Sequence, residues 1–344
     1  MVGAGLAGCL LAWRLLRSGE DVILLGSRKL PSAFSVAAGV INPVTGRWMT
    51  KTWNADEILP VAARTYREIE TALGVEVYHP IPEIRFCQNA EDVKRVARRM
   101  RNPRYQDVLG AFLEPGDTSS QFNDAYGAFE IKGAAYVDLP RLVESLRSEL
   151  KKRDLFRDEV FRHDALEQGE DGWGYGEIHA ERVVFCEGAA TLENPWFKHV
   201  ALRPVKGETL LCQNEQLDLD GTLYQHKKWL LPYSNGRFRV GASYDEDDLN
   251  AEPTAAKQKE LLEAVAIAVK THHSPKVVEH LAGIRPSTAD SRPIIGAHPT
   301  EAGLYILNGL GSKGASTGPA MVEALAAHLI EGTPIDPEIC ISRF

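Results

Sequence analysis

Met1-Val2-Gly3-Ala4-Gly5-Leu6-Ala7-Gly8 opens the chain and sets three glycines in the GxGxxG spacing that seats a dinucleotide pyrophosphate on the start of a helix. In such a run the first glycine makes a tight turn, the second lets backbone approach the phosphates, and the third lets the helix lie close on the sheet. Leu6 to Arg17 then keeps apolar residues at helical spacing, and Ser18-Gly19 ends the pattern. Asp21 to Leu25 is a short apolar run suited to a second parallel strand. Two features depart from the pattern. Only Met1 and Val2 precede Gly3, so the strand that normally feeds the turn is almost absent, and we expect the natural start to lie upstream, with several more apolar residues. Gly26 stands where an acid usually closes the second strand and holds the ribose, which leaves adenosine contacts to Ser27 and Arg28. Alone, the segment is either a dinucleotide site or an ordinary tight turn into a packed helix.

At 344 residues the chain can bury a large core and hold two domains. Its net charge of -8 argues against a general nucleic-acid surface, and no apolar run is long enough to span a bilayer. Cys9, Cys87, Cys186, Cys212 and Cys340 are scattered and form no CxxC, which points to a reducing cytoplasm, no disulfide frame and no metal site. The pair His272-His273 reads as a solvated helix end rather than as metal ligands.

No repeat or linker divides the sequence, so two domains would be interleaved. Residues 55 to 73 and 90 to 101 read as helices. The second carries Lys94, Arg95, Arg98, Arg99 and Arg101, a solvated basic face in preference to an RNA contact. Ala134 to Pro140 reads as a strand entering a helix that Asp138 caps and that runs to about Lys152. Strands are expected at Phe156 to Arg162, Glu177 to Ala180 and Arg182 to Cys186. A hairpin spans Tyr224 to Ser243 about a Ser234-Asn235-Gly236 turn. An amphipathic helix follows at 255 to 270. The closing segment repeats the opening logic, with strand Leu304 to Leu307, a glycine-rich turn, and a helix from about Pro319 to Ile330.

Further segments carry chemistry. Ser35 to Pro43 is small-residue backbone that either hugs a flat ligand or makes a plain loop. Val183-Val184-Phe185-Cys186-Glu187-Gly188-Ala189 is a buried strand ending in a small turn. Gly283-Ile284-Arg285-Pro286-Ser287-Thr288-Ala289-Asp290-Ser291-Arg292-Pro293-Ile294-Ile295-Gly296 sets an arginine among apolar neighbours. Gly309-Leu310-Gly311-Ser312-Lys313-Gly314-Ala315-Ser316-Thr317-Gly318-Pro319 presents backbone N–H groups ahead of a helix, where the helix dipole favours negative charge. A guanidinium such as that of Arg285 is permanently charged and offers a planar fork to a carboxylate. It is either a substrate-carboxylate anchor or half of a structural salt bridge, for instance to Asp290.

In this order the segments resemble the D-amino-acid oxidase (DAO) family of FAD-dependent oxidoreductases, particularly its glycine oxidase and sarcosine oxidase branch, along essentially the whole chain. Gly133 to Asp138, Gly188-Ala189, Pro204-Val205-Lys206-Gly207-Glu208 and Gly283 to Gly296 carry the resemblance. It implies an α/β fold in which a Rossmann-like (GR2-type) FAD-binding domain from residues 1–50, 133–203 and 283–344 is interleaved with a substrate domain. The latter, from 51–132 and 204–282, would be α+β and dominated by an antiparallel sheet. It implies non-covalent FAD, since no cysteine lies in the Gly309 to Pro319 turn. Gly3, Ala4, Gly5, Leu6, Ala7 and Gly8 would hold the pyrophosphate side, with Ser27, Arg28 and Val160 near the adenosine. Gly39, Val40 and Ile41, after Ala38, would line the flavin, as would Gly311 to Ala315, and Cys186, Gly188 and Ala189 would lie by the cofactor. Gly309, Gly311, Ser312, Lys313, Gly314 and Ala315 would complete the cofactor site.

The implied reaction oxidises the amine of an amino acid or N-substituted glycine, with hydride passing to flavin N5 and the imine then hydrolysing. Arg285 would anchor the carboxylate. Trp229 would wall the substrate or simply pack in its hairpin. Lys313 would place positive charge near the flavin N1/C2 carbonyl, or be a surface lysine whose loop matters only through its backbone. Such chemistry needs position more than acid–base side chains, and no metal is implied. The Gly-Ser-Lys-Gly turn is also similar to the flavin domain of the bacterial enzyme that strips a carboxymethyl group from a tRNA wobble uridine. An NAD(P)-dependent dehydrogenase would leave Gly283 to Gly296 unexplained, and a non-catalytic FAD-fold binding protein is the remaining alternative.

Overall fold

Val2 alone stands in for the first strand of a parallel sheet. It bridges Leu25 on one side and Phe185 on the other. Its N–H donates to the Val184 carbonyl at 2.9 Å, and its own carbonyl accepts from Cys186 N at 2.7 Å. One residue thereby joins the parallel pair Leu24–Leu25 and Phe156–Arg157 to the parallel pair Val183–Phe185 and Leu304–Asn308, the last of which also pairs antiparallel with Ile294–Ala297. The strands expected at Asp21 to Leu25 and Phe156 to Arg162 are two-residue pieces, because each finds only a short partner. The structure, a computed structural model, describes all residues except Leu30, Pro31, Ser234, Asn235, Thr271, His272 and His273; the Ser234-Asn235 turn and the histidine pair lie outside the described residues.

Helices cover this sheet as their apolar spacing requires. Leu6–Arg17 buries Cys9, Leu10, Leu11, Ala12 and Trp13, and it shares one core with Ala55–Leu73, Leu139–Lys152 and the last long helix. Asp138 caps Leu139–Lys152 by accepting from Arg141 N. The last helix differs from expectation. It spans Gly314–Glu331 and holds Pro319 inside it instead of beginning there. Proline cannot donate the N–H that the Ala315 carbonyl, four residues back, would otherwise receive. The buried hydroxyl of Tyr66 donates to that carbonyl at 2.7 Å, so the helix runs through. Tyr66→Phe leaves the carbonyl orphaned and is expected to cost about 1–3 kcal/mol in denaturant unfolding; an unchanged midpoint would remove the tyrosine from this account.

The second sheet is eight-stranded, in the order Lys276–Thr288, Leu202–Gln213, Arg237–Gly241, Trp229–Tyr233, Leu223–Gln225, Glu83–Phe86, Ala128–Ile131 and Leu109–Leu113. Its pairings are antiparallel except that of Leu223–Gln225 with Glu83–Phe86. Phe86, Phe122, Tyr224, Leu230 and Phe238 form its core together with the inner face of the helix Ala255–Ala268. The small sheet of Val40–Ile41, Ala135–Val137 and Tyr78–Pro80 carries the chain between the two larger sheets. Among the described residues no helix is long and apolar enough to cross a membrane.

Candidate active site

A single cavity of about 1370 Å³ runs between the glycine turn and the antiparallel sheet. Small-molecule pockets commonly measure about 300–1,000 Å³, so this one has room for a dinucleotide and a second, smaller molecule. Gly3 to Ala7, Gly26 and Ser27 line one part of it. Gly3 has φ +104°, and a Cβ there would meet the Cys186 carbonyl at 2.4 Å, so only glycine makes the turn. Beside Gly5 the space is open, its nearest neighbour being Phe34 at 3.9 Å. The helix Leu6–Arg17 has no side-chain cap and no acid in its first turn, and the same is true of Gly314–Glu331. Two helix N-termini on one cavity therefore leave their donors and positive dipole ends for a ligand.

Other parts of the wall rest on close backbone approaches. Gly39 has φ +67°, and a Cβ would fall 1.9 Å from the Val137 carbonyl, which presses Ala37 to Val40 flat along the cavity. Asn308 stitches two turns together. Its amide donates to Gly188 O at 2.9 Å and to Thr191 Oγ1 at 2.7 Å, while its Oδ1 accepts from Gly309 N. Gly26 packs on Ala4, where a Cβ would be 2.5 Å from the backbone nitrogen, and that contact excludes the acid usual at this position. Glu187 and Glu193 are the acids of the neighbouring wall, and Glu187 is held by His163 at 2.8 Å and by Asn194 at 2.7 Å.

Arg285 lies on the long strand Lys276–Thr288, opposite Val205. It lines the cavity with no carboxylate partner among the described residues. Its guanidinium donates to Ser243 O at 3.1 Å and to Lys206 O at 3.5 Å and stacks 4.4 Å over the Tyr244 ring. Asp290, the alternative partner, pairs instead with Arg343 at 3.2 Å. Burial pulls the Arg285 pKa down from its ordinary value, a penalty that an arriving anion relieves. Behind it, buried Lys206 binds Asp248 at 2.6 Å and Asn250 at 3.0 Å, tying down the segment that brings Tyr244, Leu249 and Ala251 to the cavity. Lys313 also lines the cavity without an acidic partner among the described residues, and burial, then Arg292, lower its pKa. Trp229 both lines the cavity and packs against Gly241, where a Cβ would come 2.7 Å from the indole.

The other expected cofactor contacts Ala38, Val40, Val160, Cys186, Gly188, Ala189, Gly311, Ser312, Gly314 and Ala315 line the same cavity. Gly8, Arg28, Ile41 and Gly309 do not. Gly8 faces the Gly3 carbonyl and brings the helix onto the turn, Ile41 is buried in the core, and Gly309 turns against Thr288 and Ile294. The Arg28 guanidinium pairs with Glu144 at 2.9 Å. Sequence reasoning missed Tyr244, Glu187, His163 and Asn308. Tyr244, His163 and Asn308 lie in none of the chemistry-bearing segments, whereas Glu187 sits inside Val183 to Ala189 without having been singled out, and Pro204 to Glu208 pointed to the strand beside Tyr244.

Glu83 is buried beneath the wall residue Asn42, whose amide donates to its Oε1 at 2.5 Å, while Oε2 has no partner. Burial pushes its pKa up from 4.5 to about 8. Because the folded value is the raised one, the stability linked to its proton is fully present below pH 4.5 and is lost as pH rises through about 8. Glu83→Gln mimics the protonated form and is expected to be the more stable protein above that range, by on the order of 5 kcal/mol. Urea unfolding of both proteins at pH 6 and pH 9 checks this, and parallel pH profiles would refute it.

The open glycine cradle, two uncapped helix ends and an unpaired lysine fit an elongated anionic cofactor such as FAD. A family model for FAD-dependent oxidoreductases, DAO, matches residues 1–328. The chain belongs to the DAO family. Glycine oxidase of Bacillus subtilis (strain 168) is 24% identical over 362 residues, covering 98% of this chain and 94% of that protein. Among solved structures, glycine oxidase from Geobacillus kaustophilus aligns with a TM-score of 0.83 at 22% identity over 100% of this chain and 97% of that one. Iminodiacetate oxidase from Chelativorans sp. BNC1 aligns with a TM-score of 0.80 at 23% identity over 97% and 95%. This DAO-family protein is thus an FAD-dependent oxidoreductase whose mixed α/β fold is theirs.

Proposed function

We propose that this enzyme oxidises the C–N bond of an amino acid or N-substituted glycine to an imine, which water then hydrolyses to a carbonyl compound and a free amine. The observation that carries the reading is Arg285, a cation at the cavity wall whose contacts are carbonyls and a ring and which has no carboxylate of its own among the described residues. Non-covalent FAD would supply the two-electron acceptor for the hydride of the carbon beside nitrogen, and the glycine turn and the two uncapped helix ends would hold it. Arg285 fixes the substrate carboxylate, and Trp229 and Tyr244 wall the space beside it. Lys313 holds a positive charge where the two helix ends already favour a negative one. The likeness to glycine oxidases and iminodiacetate oxidase supports an amine bearing a carboxylate. Five unpaired cysteines suit a reducing cytoplasm. We assign the cofactor to the segments 1–50, 133–203 and 283–344 and the substrate to the two insertions between them.

The test is anaerobic bleaching of the flavin band, at about 450 nm as the cofactor itself dictates, by glycine, sarcosine, proline and D-amino acids. Bleaching by at least one is expected. A flavin-loaded protein that none of them reduces would overturn the reading. The tRNA alternative has less support, because the basic helix beside the cavity spends Lys94 on Glu91 and Arg95 on Asp92. Tight, salt-sensitive tRNA binding would revive it.

A further inference from the structure

Part of the cavity wall carries more positive charge than a single carboxylate uses. The loop 44–49, the strand Glu83–Phe86 and the turn 225–228 meet there, with Arg85 opposite Gln225 in register and its guanidinium donating to Gly46 O at 2.7 Å and Val44 O at 3.2 Å. Arg85 is committed by those bonds. Lys228 is likewise held, by Glu260 at 2.7 Å and by the Ala242 carbonyl. Arg47 and Lys227 are not. Both are exposed, both line the cavity, and neither has a carboxylate partner among the described residues. Beside Lys227, His226 lines the same wall with a buried Nδ1 that has no hydrogen-bond partner. Burial, then Lys227, hold its pKa near 4 against a backbone bond to Asn123, so the imidazole is neutral at physiological pH and its bare Nδ1 accepts rather than donates, which leaves recognition of an anion to Arg47 and Lys227. Asp92, an acid of this wall, is occupied by Arg95 at 2.5 Å and by the backbone N–H of Gln88 at 3.0 Å.

Two cations without a carboxylate partner among the described residues, Arg47 with its guanidinium 5.5 Å over the Trp48 ring and Lys227, therefore line the cavity of a chain whose net charge is -8. Resting on the amine-oxidation reading, we infer that this wall is a second anion subsite, and that the substrate bears, besides the carboxylate held by Arg285, a further acidic group on its side chain or its nitrogen substituent. A carboxylate and a phosphate share the chemistry that Arg47 and Lys227 recognise. A large polyanion fits less well. Just beyond the wall, Lys51 is flanked by Asp56 at 2.6 Å and Asp107 at 2.9 Å, which interrupts the positive field that a nucleic-acid backbone follows.

The test uses the FAD-loaded full chain and compares matched amines by anaerobic flavin reduction: iminodiacetate against sarcosine, aspartate against alanine, and phosphoserine against serine. Each amino acid is taken as both enantiomers. At least one diacid is expected to reduce the flavin at a roughly tenfold lower half-saturating concentration than its monoacid partner, the scale of one charge-assisted hydrogen bond. The carboxylate and phosphate pairs separate the two sources of the second charge. Arg47→Ala combined with Lys227→Ala should bring the diacid-to-monoacid ratio close to one while the bound-flavin spectrum is retained. Rising salt should shrink the ratio in the unmutated enzyme, since both cations are exposed. Equal half-saturation by both members of every pair, or a preference that survives the double substitution, would overturn the inference while leaving amine oxidation intact. Reduction by none of these amines would instead bring down the reading on which it rests.

Discussion

Arg285→Ala is expected to raise the half-saturating concentration of the amine substrate at least a hundredfold while the protein keeps its flavin. Removing one partner from a desolvated charge pair costs about 2–5 kcal/mol, more than enough for that factor. The loss should be in affinity rather than in fold, because the guanidinium bonds to two backbone carbonyls, Ser243 and Lys206, and the Lys206 carbonyl keeps a second donor in Asp245 N. Arg285→Lys keeps the charge but not the fork, and is expected to recover only part of the loss. An independent variant reaches the same group from behind. A Cβ on Gly207 would fall 1.9 Å from an Arg285 guanidinium nitrogen, the far end of a flexible side chain, so Gly207→Ala should displace the anchor without unfolding the sheet. Both variants can be read by anaerobic titration. Unchanged affinity in Arg285→Ala would end its role as the carboxylate anchor.

Much of this arrangement was legible in sequence because it depends on local chemistry. Helical spacing marked Leu6–Arg17 and Ala55–Leu73, and the turn chemistry of the glycines marked the uncapped start of the first and a helix after Gly309, though not its start at Gly314. Arg285 was legible as an anchor candidate because a permanent charge among apolar residues needs a partner. What sequence could not supply was cross-strand and cross-helix partnership. Tyr244 reaches Arg285 only because Leu202–Gln213 pairs with Lys276–Thr288 on one edge and Arg237–Gly241 on the other. Pro319 looked like a helix start because the hydroxyl that rescues its missing bond, on Tyr66, is remote in sequence. Arg28 looked like a ribose contact for the same reason, since Glu144, which takes its charge, belongs to a distant helix. At the place of the first strand, Val2 finds its partners on both sides, in Leu25 and Phe185, which are remote in sequence.

Gly3→Ala is expected to cost the protein both stability and FAD, and the reason separates two functions of the opening turn. An L side chain at φ +104° is strained, and its Cβ would lie 2.4 Å from Cys186 O and 2.7 Å from Cys186 C, backbone atoms that cannot swing aside. Strain of this kind costs about 1–3 kcal/mol before the clash is added. Relief of the clash must move Gly3 away from Cys186, and Cys186 N is the donor that holds Val2 between its neighbouring strands. The sheet and the cradle should therefore loosen together. Gly5→Ala differs. Gly5 has φ -80°, and its Cβ would meet nothing nearer than Phe34 at 3.9 Å, so the unloaded protein should unfold at an unchanged denaturant midpoint. Its added methyl instead enters the open space before the uncapped helix. If the cofactor pyrophosphate approaches the backbone there, FAD affinity should fall about tenfold or more, a loss of at least about 1.4 kcal/mol. Fluorescence titration of the unloaded protein with FAD measures that fall. A Gly5→Ala protein that binds FAD as tightly as its parent would place the pyrophosphate elsewhere, whereas a Gly3→Ala protein as stable as its parent would mean that the Val2 bridge does not hold the sheet together.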